Sequence, residues 1–286
     1  MKGNSLLRLV FLLFIASACL TVAADELDAL IDRAMAGDHR NPDFMARDQY
    51  RHPRETLKFF GLSPEMTVVE IWPSRGWYTE ILAPVLRDHG VLYAAGFAMT
   101  SKTTPDFQKA MQIEFVEKLG QRPDVYDHVV VTELAVPERT TIAPPGTVDM
   151  ILTFRNVHNW MKGDYTQGML ETFFRILKPG GVLGIVEHRA NPGTSVEQMV
   201  KSGYVTTEFI IALAEAVGFR FEESSEINAN PHDTKNYPDG VWTLPPTLWY
   251  CNTLKAGSDR DKCMKKYSAI GESDRMTLRF RKPKPY

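Results

Sequence analysis

Apolar residues follow two spacings along this chain, and the two spacings alternate. Short runs rich in β-branched residues predict strands, and longer stretches with helical spacing predict helices between them. The predicted strands cover residues 67–71, 91–95, 129–132, 148–154, 182–187, 219–227 and 275–280. The predicted helices cover residues 25–36, 53–60, 77–88, 105–119, 164–177 and 205–217. Strands that alternate with helices form a mostly parallel sheet with helices on both faces, so the pattern predicts an α/β fold.

Two polar segments interrupt this alternation. Residues 37–53 are punctuated by Asn-Pro and His-Pro pairs, which predict an ordered loop. Residues 228–274 are rich in Pro, Asn, Asp and Gly, and they predict an irregular excursion with one helix near residues 258–268. The chain shows no internal repeat and no low-complexity linker, so we expect residues 25–286 to form a single domain.

The first 24 residues have the pattern of a secretory signal peptide. Basic residues precede an apolar core at residues 9–16, and small residues at 22–24 precede an acidic pair. We expect cleavage after Ala24 and a periplasmic or secreted protein with no stable membrane span. Two alternatives stay open, a retained membrane anchor and a lipoprotein processed at Cys19.

The composition argues against some classes of binding partner. The chain has 286 residues, of which 24% are charged, and its formal net charge is −2. It has no basic run with interleaved aromatic residues, which argues against nucleic acid as a partner. Cys251 and Cys263 follow the leader, and such a pair is a candidate disulfide in an oxidising compartment. Two buried thiols or a metal pair are the alternatives, but the spacing of His and Cys indicates no metal set.

The strand–turn–helix segment at residues 68–82 is the most informative motif of the chain. Its strand ends at the acid Glu70, and its turn contains Gly76 before the helix begins. Nucleotide-binding α/β folds use such a turn to present backbone N–H groups to a ligand at a helix N-terminus. Together with the Leu-Lys-Pro-Gly-Gly segment in residues 177–183, it resembles the motifs of class I S-adenosylmethionine (SAM) dependent methyltransferases.

The resemblance implies a Rossmann-like class I methyltransferase fold with a seven-stranded sheet, SAM as cofactor and a small-molecule substrate. More narrowly, residues 47–53 and 280–283 are similar to segments of a bacterial group of exported, predicted methyltransferases. The cofactor-binding residues that the resemblance implies are Glu70, Ser74, Gly76, Glu133 and Asn156.

The sequence departs from the family pattern at positions that would touch the cofactor. The pattern places Gly two, four and six residues after the acid, and here these positions hold Trp72, Ser74 and Gly76. No acid follows the second strand to accept ribose hydroxyls, whereas Glu133 follows the third strand near the expected adenine position. The alternatives are a purely structural Glu70 and a solvated Glu133.

Polar and aromatic residues concentrate at residues 155–160, directly after the fourth strand. Strand ends of this kind line the ligand crevice of open α/β sheets. His158 is the expected general base because an imidazole titrates near neutrality, and we expect Glu187 to orient its ring. The alternative is a structural His158 that caps the following helix. The substrate-binding residues that we expect nearby are Tyr50, His52, Arg155 and His188.

Two functions are compatible with these observations. The first is SAM-dependent methyl transfer to a small molecule, favoured by the chemistry of residues 155–160. The second is a non-catalytic or repurposed domain that binds another small ligand or a protein, favoured by export and by the two missing glycines. The position of Trp72 distinguishes the two functions. An indole at the floor of the crevice leaves room for catalysis, whereas an indole in the cofactor space favours the binding domain. The residues expected to surround that crevice are Gly76, Glu133, Asn156, His158 and Glu187.

Overall fold

The computed structural model describes residues 26–285, and a seven-stranded sheet lies at its centre. The strands are β1 (Thr67–Ile71), β2 (Val91–Phe97), β3 (Val129–Leu134), β4 (Val148–Phe154), β5 (Leu177–His188), β6 (Arg220–Ser225) and β7 (Arg275–Arg281). Their order across the sheet is β3-β2-β1-β4-β5-β7-β6. The predicted signal peptide, its cleavage site and Cys19 lie outside the described residues.

The direction of the strands determines where a ligand can bind. Strands β1 to β5 are parallel, and β7 runs antiparallel between β5 and β6. Strand β1 pairs with β2 on one side and with β4 on the other, so the strand order reverses between β1 and β4. In open α/β sheets the ligand crevice forms outside the carboxyl ends of the strands at such a switch point. The expected α/β architecture is therefore confirmed, with its crevice beside β1 and β4.

Helices cover both faces of the sheet. They are α1 (residues 26–35), α2 (Pro42–Met45), α3 (Asp48–Arg51), α4 (Pro53–Phe60), α5 (Thr79–Leu86), α6 (Asp106–Gln121), α7 (Pro123–Tyr126), α8 (Val157–Lys162), α9 (Thr166–Ile176), α10 (Val196–Ser202), α11 (Thr207–Val217), α12 (Trp249–Thr253) and α13 (Ser258–Ser268), with a 3₁₀ helix at Gly240–Thr243. One core lies between the sheet and α1, α4 and α5, and the other lies under α9 and α11. Buried rings such as Phe60 and Phe173 contribute roughly 1.5–3 kcal/mol each.

Two regions are more helical than the sequence pattern predicts. The predicted loop at residues 37–53 contains α2 and α3. Helix α2 forms because Asn41 Oδ1 accepts the N–H of Asp43 at 2.8 Å and because proline occupies the first helical position. The helix predicted at residues 164–177 is α9, and the additional helix α8 precedes it. Asp164, between the two, has a φ of 56°, which is outside the helical region.

The segment at residues 228–274 contains the 3₁₀ helix, α12 and α13, and it packs around a small core of its own. The helix expected near residues 258–268 is confirmed as α13. Cys251 in α12 and Cys263 in α13 form a disulfide with their Cα atoms 5.6 Å apart, so the predicted pairing is confirmed.

Among residues 26–285, no helix combines the length and the apolar composition needed to cross a membrane.

Candidate active site

A cavity of about 520 Å³, here called the first cavity, lies at the carboxyl ends of β1 and β4. The loop after β1, the loop after β4 and the segment at residues 240–247 form its wall. The predicted site residues in that wall are Glu70, Ser74, Arg155, Asn156, His158 and His188. The expected crevice therefore exists at the switch point and collects polar groups from distant parts of the chain.

In the loop after β1, the backbone has a positive φ at three alternating positions. Trp72, Ser74 and Gly76 have φ values of 46°, 58° and 81°. Glycine adopts this left-handed region freely, whereas each side chain there costs on the order of 1 kcal/mol. These are the positions at which the family pattern has glycine. The loop thus retains a glycine-type conformation although two of its three residues carry side chains.

Glu70 is the penultimate residue of β1 and is buried, and the Thr79 hydroxyl lies close to its carboxylate. The Oγ1 of Thr79 donates a hydrogen bond to Glu70 Oε2 at 2.6 Å. Burial raises the pKa of Glu70 from its ordinary value of 4.5 to about 7, and the Thr79 hydroxyl and the Lys118 ammonium only partly offset this effect. Glu70 is therefore poised to ionise when a cationic group approaches.

The indole of Trp72 reaches from the end of β1 to the end of β3. Its Nε1 donates a hydrogen bond to the carbonyl oxygen of Leu134 at 3.1 Å, and its ring lies 5.0 Å from that of Phe97. A second cavity of about 260 Å³ lies on the β3 side, and Trp72 lines both cavities. Trp72 thus forms part of the wall of the first cavity and also occupies space between the strand ends.

Gln112 of α6 lies against the carboxyl end of β2, where the sequence has no acidic residue. Its Oε1 accepts the N–H of Phe97 at 2.9 Å, and its amide lies against Gly96, which leaves room for it by having no Cβ. This contact could not be predicted from the sequence, because one polar residue in a helix does not show which backbone group it contacts. A protein side chain thus takes the place where the ribose acid was expected.

His158 and Glu187 form a buried pair beside the first cavity. His158 Nδ1 lies 3.0 Å from Glu187 Oε1, and the carboxylate also accepts the backbone N–H groups of His158 at 3.3 Å and His188 at 2.7 Å. A carboxylate can only accept, so Nδ1 carries the proton and Nε2 keeps its lone pair. Glu187 therefore orients the imidazole as the sequence analysis expects.

His188 completes a cluster with this pair. One potential metal-ligand atom from each of His158, Glu187 and His188 lies within 4.8 Å of the others, although their sequence spacing indicated no metal set. The carboxylate is already occupied by three N–H donors. Burial lowers the pKa of His188 well below its ordinary value, and the nearby His158 and Arg155 lower it further. The lowered pKa keeps His188 neutral, whereas the charged Arg155 nearby disfavours a bound cation.

Several guanidinium groups meet one carboxylate at the same wall. Glu272 accepts hydrogen bonds from Arg47 at 2.6 Å, Arg51 at 3.3 Å and Arg275 at 3.1 Å. Burial raises the pKa of Glu272, but the surrounding arginines outweigh burial and hold it far below its usual range. The sequence analysis missed Arg47 and Glu272, because residues so far apart along the chain carry no local signal.

Five of the predicted catalytic, cofactor-binding and substrate-binding residues do not line the first cavity, and one of them, Glu187, is connected to it through its contact with His158. Gly76 lies against Phe115, and Glu133 belongs to β3, where its carboxylate accepts the N–H of Met99 at 3.0 Å. Tyr50 and His52 line a separate cavity of about 300 Å³. The expectation that Gly76, Glu133 and Glu187 surround the crevice together with Asn156 and His158 is therefore wrong. The expected substrate-binding residues Tyr50 and His52 lie at a different cavity.

Two other predicted residues have mainly supporting contacts. The Nδ2 of Asn156 donates to the carbonyl oxygen of Ile71 at 3.0 Å and to Thr153 Oγ1 at 3.2 Å, which ties the ends of β1 and β4 together. The Ser74 hydroxyl lies 3.4 Å from Met111 Sδ. Asn156 thus holds the switch point in shape while it lines the cavity.

Comparison with known proteins bears on the fold. No family model matches the sequence. No curated protein matches it either. Among solved structures, a SAM dependent methyltransferase from Aquifex aeolicus is 22% identical, with a TM-score of 0.50 over 66% of this chain and 88% of that one.

Two further solved structures extend over more of the chain. Geranyl diphosphate methyltransferase in complex with SAM is 15% identical, with a TM-score of 0.51 over 88% of this chain and 95% of that one. The [4+2]-cyclase SpnF is 14% identical, with a TM-score of 0.55 over 87% of this chain and 86% of that one. The chain therefore has the Rossmann-like fold of class I SAM-dependent methyltransferases. Since one such neighbour is a cyclase, the fold alone does not define the reaction.

Proposed function

We propose that the protein binds SAM at the first cavity and transfers its methyl group to a small molecule. The observation that carries the proposal is the positive φ of Trp72, Ser74 and Gly76 in a loop beside the cavity that His158 lines, where Glu187 pairs with the His158 imidazole. A strained loop that keeps φ values above zero at two residues with side chains indicates a functional constraint on that loop.

The residues around the two cavities fit an extended ligand of this kind. Glu70 and Asn156 would hold the amino-acid end in the first cavity, where a buried acid with a raised pKa suits an ammonium group. The second cavity has apolar wall atoms from Leu134 and Val136, which suit a purine. Trp72 lies at the junction and would contact the sugar between the two ends.

The protein contributes positioning and proton transfer to the proposed reaction. SAM supplies an electrophilic methyl group on a sulfonium, which needs no acid catalyst. His158 accepts the proton of a substrate hydroxyl or amine on Nε2, and Glu187 holds the imidazole in the tautomer that leaves this atom free. The two solved neighbours named as methyltransferases are consistent with this role.

A second function, a repurposed domain that binds a different ligand, is favoured by Trp72 and Gln112. The indole of Trp72 bridges β1 and β3, and Gln112 closes the end of β2, so protein atoms occupy space that an adenosyl group would need. Export to the periplasm, which we propose from the leader, also favours this function. Membership of the exported bacterial group is proposed on the segments at residues 47–53 and 280–283.

Calorimetric titration with SAM and S-adenosylhomocysteine tests the proposal. We expect saturable binding with a dissociation constant in the low micromolar range. Absence of heat at ligand concentrations of hundreds of micromolar would contradict SAM-dependent catalysis.

Replacement of Trp72 separates the two functions. If SAM binds beside the indole, Trp72→Gly weakens binding of S-adenosylhomocysteine, by about tenfold for the lost stacking contact. If the indole blocks the site, the unmodified protein does not bind and Trp72→Gly does. Glycine fits the positive φ of this position, so the variant relieves strain there. Trp249→Gly is the matched control, because Trp249 is 60% exposed and does not line either cavity.

A further inference from the structure

Arg155 is held in place at the wall of the first cavity without a partner for its charge. It directly follows β4, its backbone N–H bonds to the carbonyl oxygen of Val186 at 2.7 Å, and its φ is 60°. Its side chain lines the cavity. Among the residues that the structure describes, the Arg155 guanidinium makes no hydrogen bond and no ion pair within 4.0 Å.

The surrounding charges do not neutralise Arg155. Glu272 is the nearby carboxylate, and it is already shared by Arg47, Arg51 and Arg275. Within residues 26–285, the Nη2 atoms of Arg47 and Arg51 are buried without a hydrogen-bond partner, whereas the Arg155 side chain borders the cavity. Burial lowers the pKa of Arg155 to about 10, which leaves it charged at neutral pH, and Glu272 only partly opposes this effect. Four guanidinium groups therefore face one carboxylate beside a cavity.

We propose that Arg155 binds an oxyanion, a carboxylate or phosphate group, of the small molecule that enters the first cavity. A guanidinium that is partly buried in a cavity wall gains from a counter-charge, and its planar donors match a carboxylate or phosphate through two parallel hydrogen bonds. Arg155 is three residues before His158, so the anionic group binds close to the base. This site requires no methyl transfer and would serve either of the two functions proposed above.

Thermal unfolding in the presence of simple anions tests the site directly. Inorganic phosphate and malonate are the probes, added to the purified protein at constant ionic strength. We expect a saturable rise in the Tm, and we expect Arg155→Gln to weaken binding of both anions by about ten- to hundredfold. Arg220→Gln is the matched control, because it removes an exposed guanidinium of β6 that does not line the cavity. It should bind both anions as the unmodified protein does.

The Tm of the anion-free protein gives a second, independent readout. Arg155→Gln removes an uncompensated charge, so its Tm without anions should equal or exceed that of the unmodified protein. A lower Tm, or failure to fold, would show that Arg155 is a structural residue and would overturn the proposal. Equal anion binding by the variant and the unmodified protein, or no saturable effect at tens of millimolar anion, would overturn it as well.

The source of the oxyanion is decided by competition, because the amino-acid end of SAM also carries a carboxylate. If phosphate affinity is unchanged in saturating S-adenosylhomocysteine, the site belongs to the substrate. If phosphate and S-adenosylhomocysteine exclude each other and Arg155→Gln weakens both, the oxyanion is the cofactor carboxylate. Both results support the oxyanion site. If the protein binds the anions but does not bind S-adenosylhomocysteine, the oxyanion site at Arg155 is supported and the proposed methyl transfer is contradicted.

Discussion

Glu70 is a single buried side chain that makes the stability of the protein depend on pH. Its pKa is raised from 4.5 to about 7 because burial penalises the charged carboxylate. A group with a raised pKa in the folded state stabilises fully below its unfolded pKa and loses that contribution as the pH rises through the folded pKa. The protein should therefore lose stability between pH 4.5 and about 7 on account of Glu70.

Glu70→Gln should remove this pH dependence, because glutamine does not ionise. Relative to the unmodified protein, the variant should gain up to roughly 3 kcal/mol in free energy of unfolding between about pH 4 and pH 8. Denaturant titrations at several pH values measure this difference. Glu138→Gln changes an exposed carboxylate and should show no such trend. A constant difference between the Glu70 variant and the unmodified protein would disprove the raised pKa.

His158 is the residue on which proposed turnover depends most. His158→Ala should lower the rate with an accepted methyl acceptor by about 10²–10⁴-fold, since it removes a general base. Steady-state rates measure the effect, and circular dichroism checks that the fold is retained. His89→Ala removes an exposed imidazole and serves as control. An unaltered rate in the His158 variant would remove that residue from the mechanism.

At the scale of elements, the sequence predicted the helix and strand boundaries that depend on local residue patterns. Helix α4 is predicted to the residue because it begins at proline and ends at Gly61, whose φ of 80° favours glycine. Strand β3 continues two residues beyond its prediction by pairing with β2, which moves Glu133 into the sheet. Such pairing depends on a neighbouring strand, which the local sequence does not reveal.

Site residues that directly follow a strand could be predicted from the sequence. Site residues contributed by distant segments could not. His158 and Glu187 were identified because each lies at the carboxyl end of a predicted strand. Arg47 and Glu272 are 225 residues apart, and their contact depends on α3 packing beside β7. His158, Glu187 and His188 were expected at one site, but their clustering as potential metal ligands was not, because His158 of α8 and the adjacent Glu187 and His188 of β5 lack metal-ligand spacing in the sequence.

The disulfide should stabilise the segment at residues 228–274, which supplies Trp242 to the cavity wall. Its cysteines are 12 residues apart. Replacing Cys251 and Cys263 by Ser should cost roughly 3 kcal/mol in the chain-entropy model. Denaturant unfolding measures the loss. Either single replacement should cost about as much as both together, because each breaks the same bond. Full stability in the double variant would show that the bond contributes nothing.

Glu272 joins the segment before α4 to β7. Glu272→Gln should cost about 3–5 kcal/mol, because it leaves buried guanidinium groups without their counter-charge. The pKa of Glu272 is depressed, so its contribution is present above 4.5 and is lost as the pH falls further. The control Glu226→Gln breaks an exposed pair with Arg189 and should cost under about 1 kcal/mol. Equal losses in the two variants would contradict this account.

At the scale of the whole molecule, the sheet order creates one crevice and the surrounding segments determine what can enter it. The switch point between β1 and β4 places the glycine-type loop opposite His158. The segment between β6 and β7 adds Trp242 and Glu272 to the wall, and α6 adds Gln108 and Met111. Trp72 stands where the two cavities meet. The account therefore depends on whether a SAM-like ligand occupies both cavities past this indole.

A crystal structure of the protein grown with S-adenosylhomocysteine tests that claim most directly. The account predicts continuous ligand density from the first cavity, beside Glu70 and Asn156, past Trp72 into the second cavity. Density elsewhere on the molecule would contradict it. So would empty cavities at saturating ligand, with the Trp72 indole still bonded to the Leu134 carbonyl oxygen.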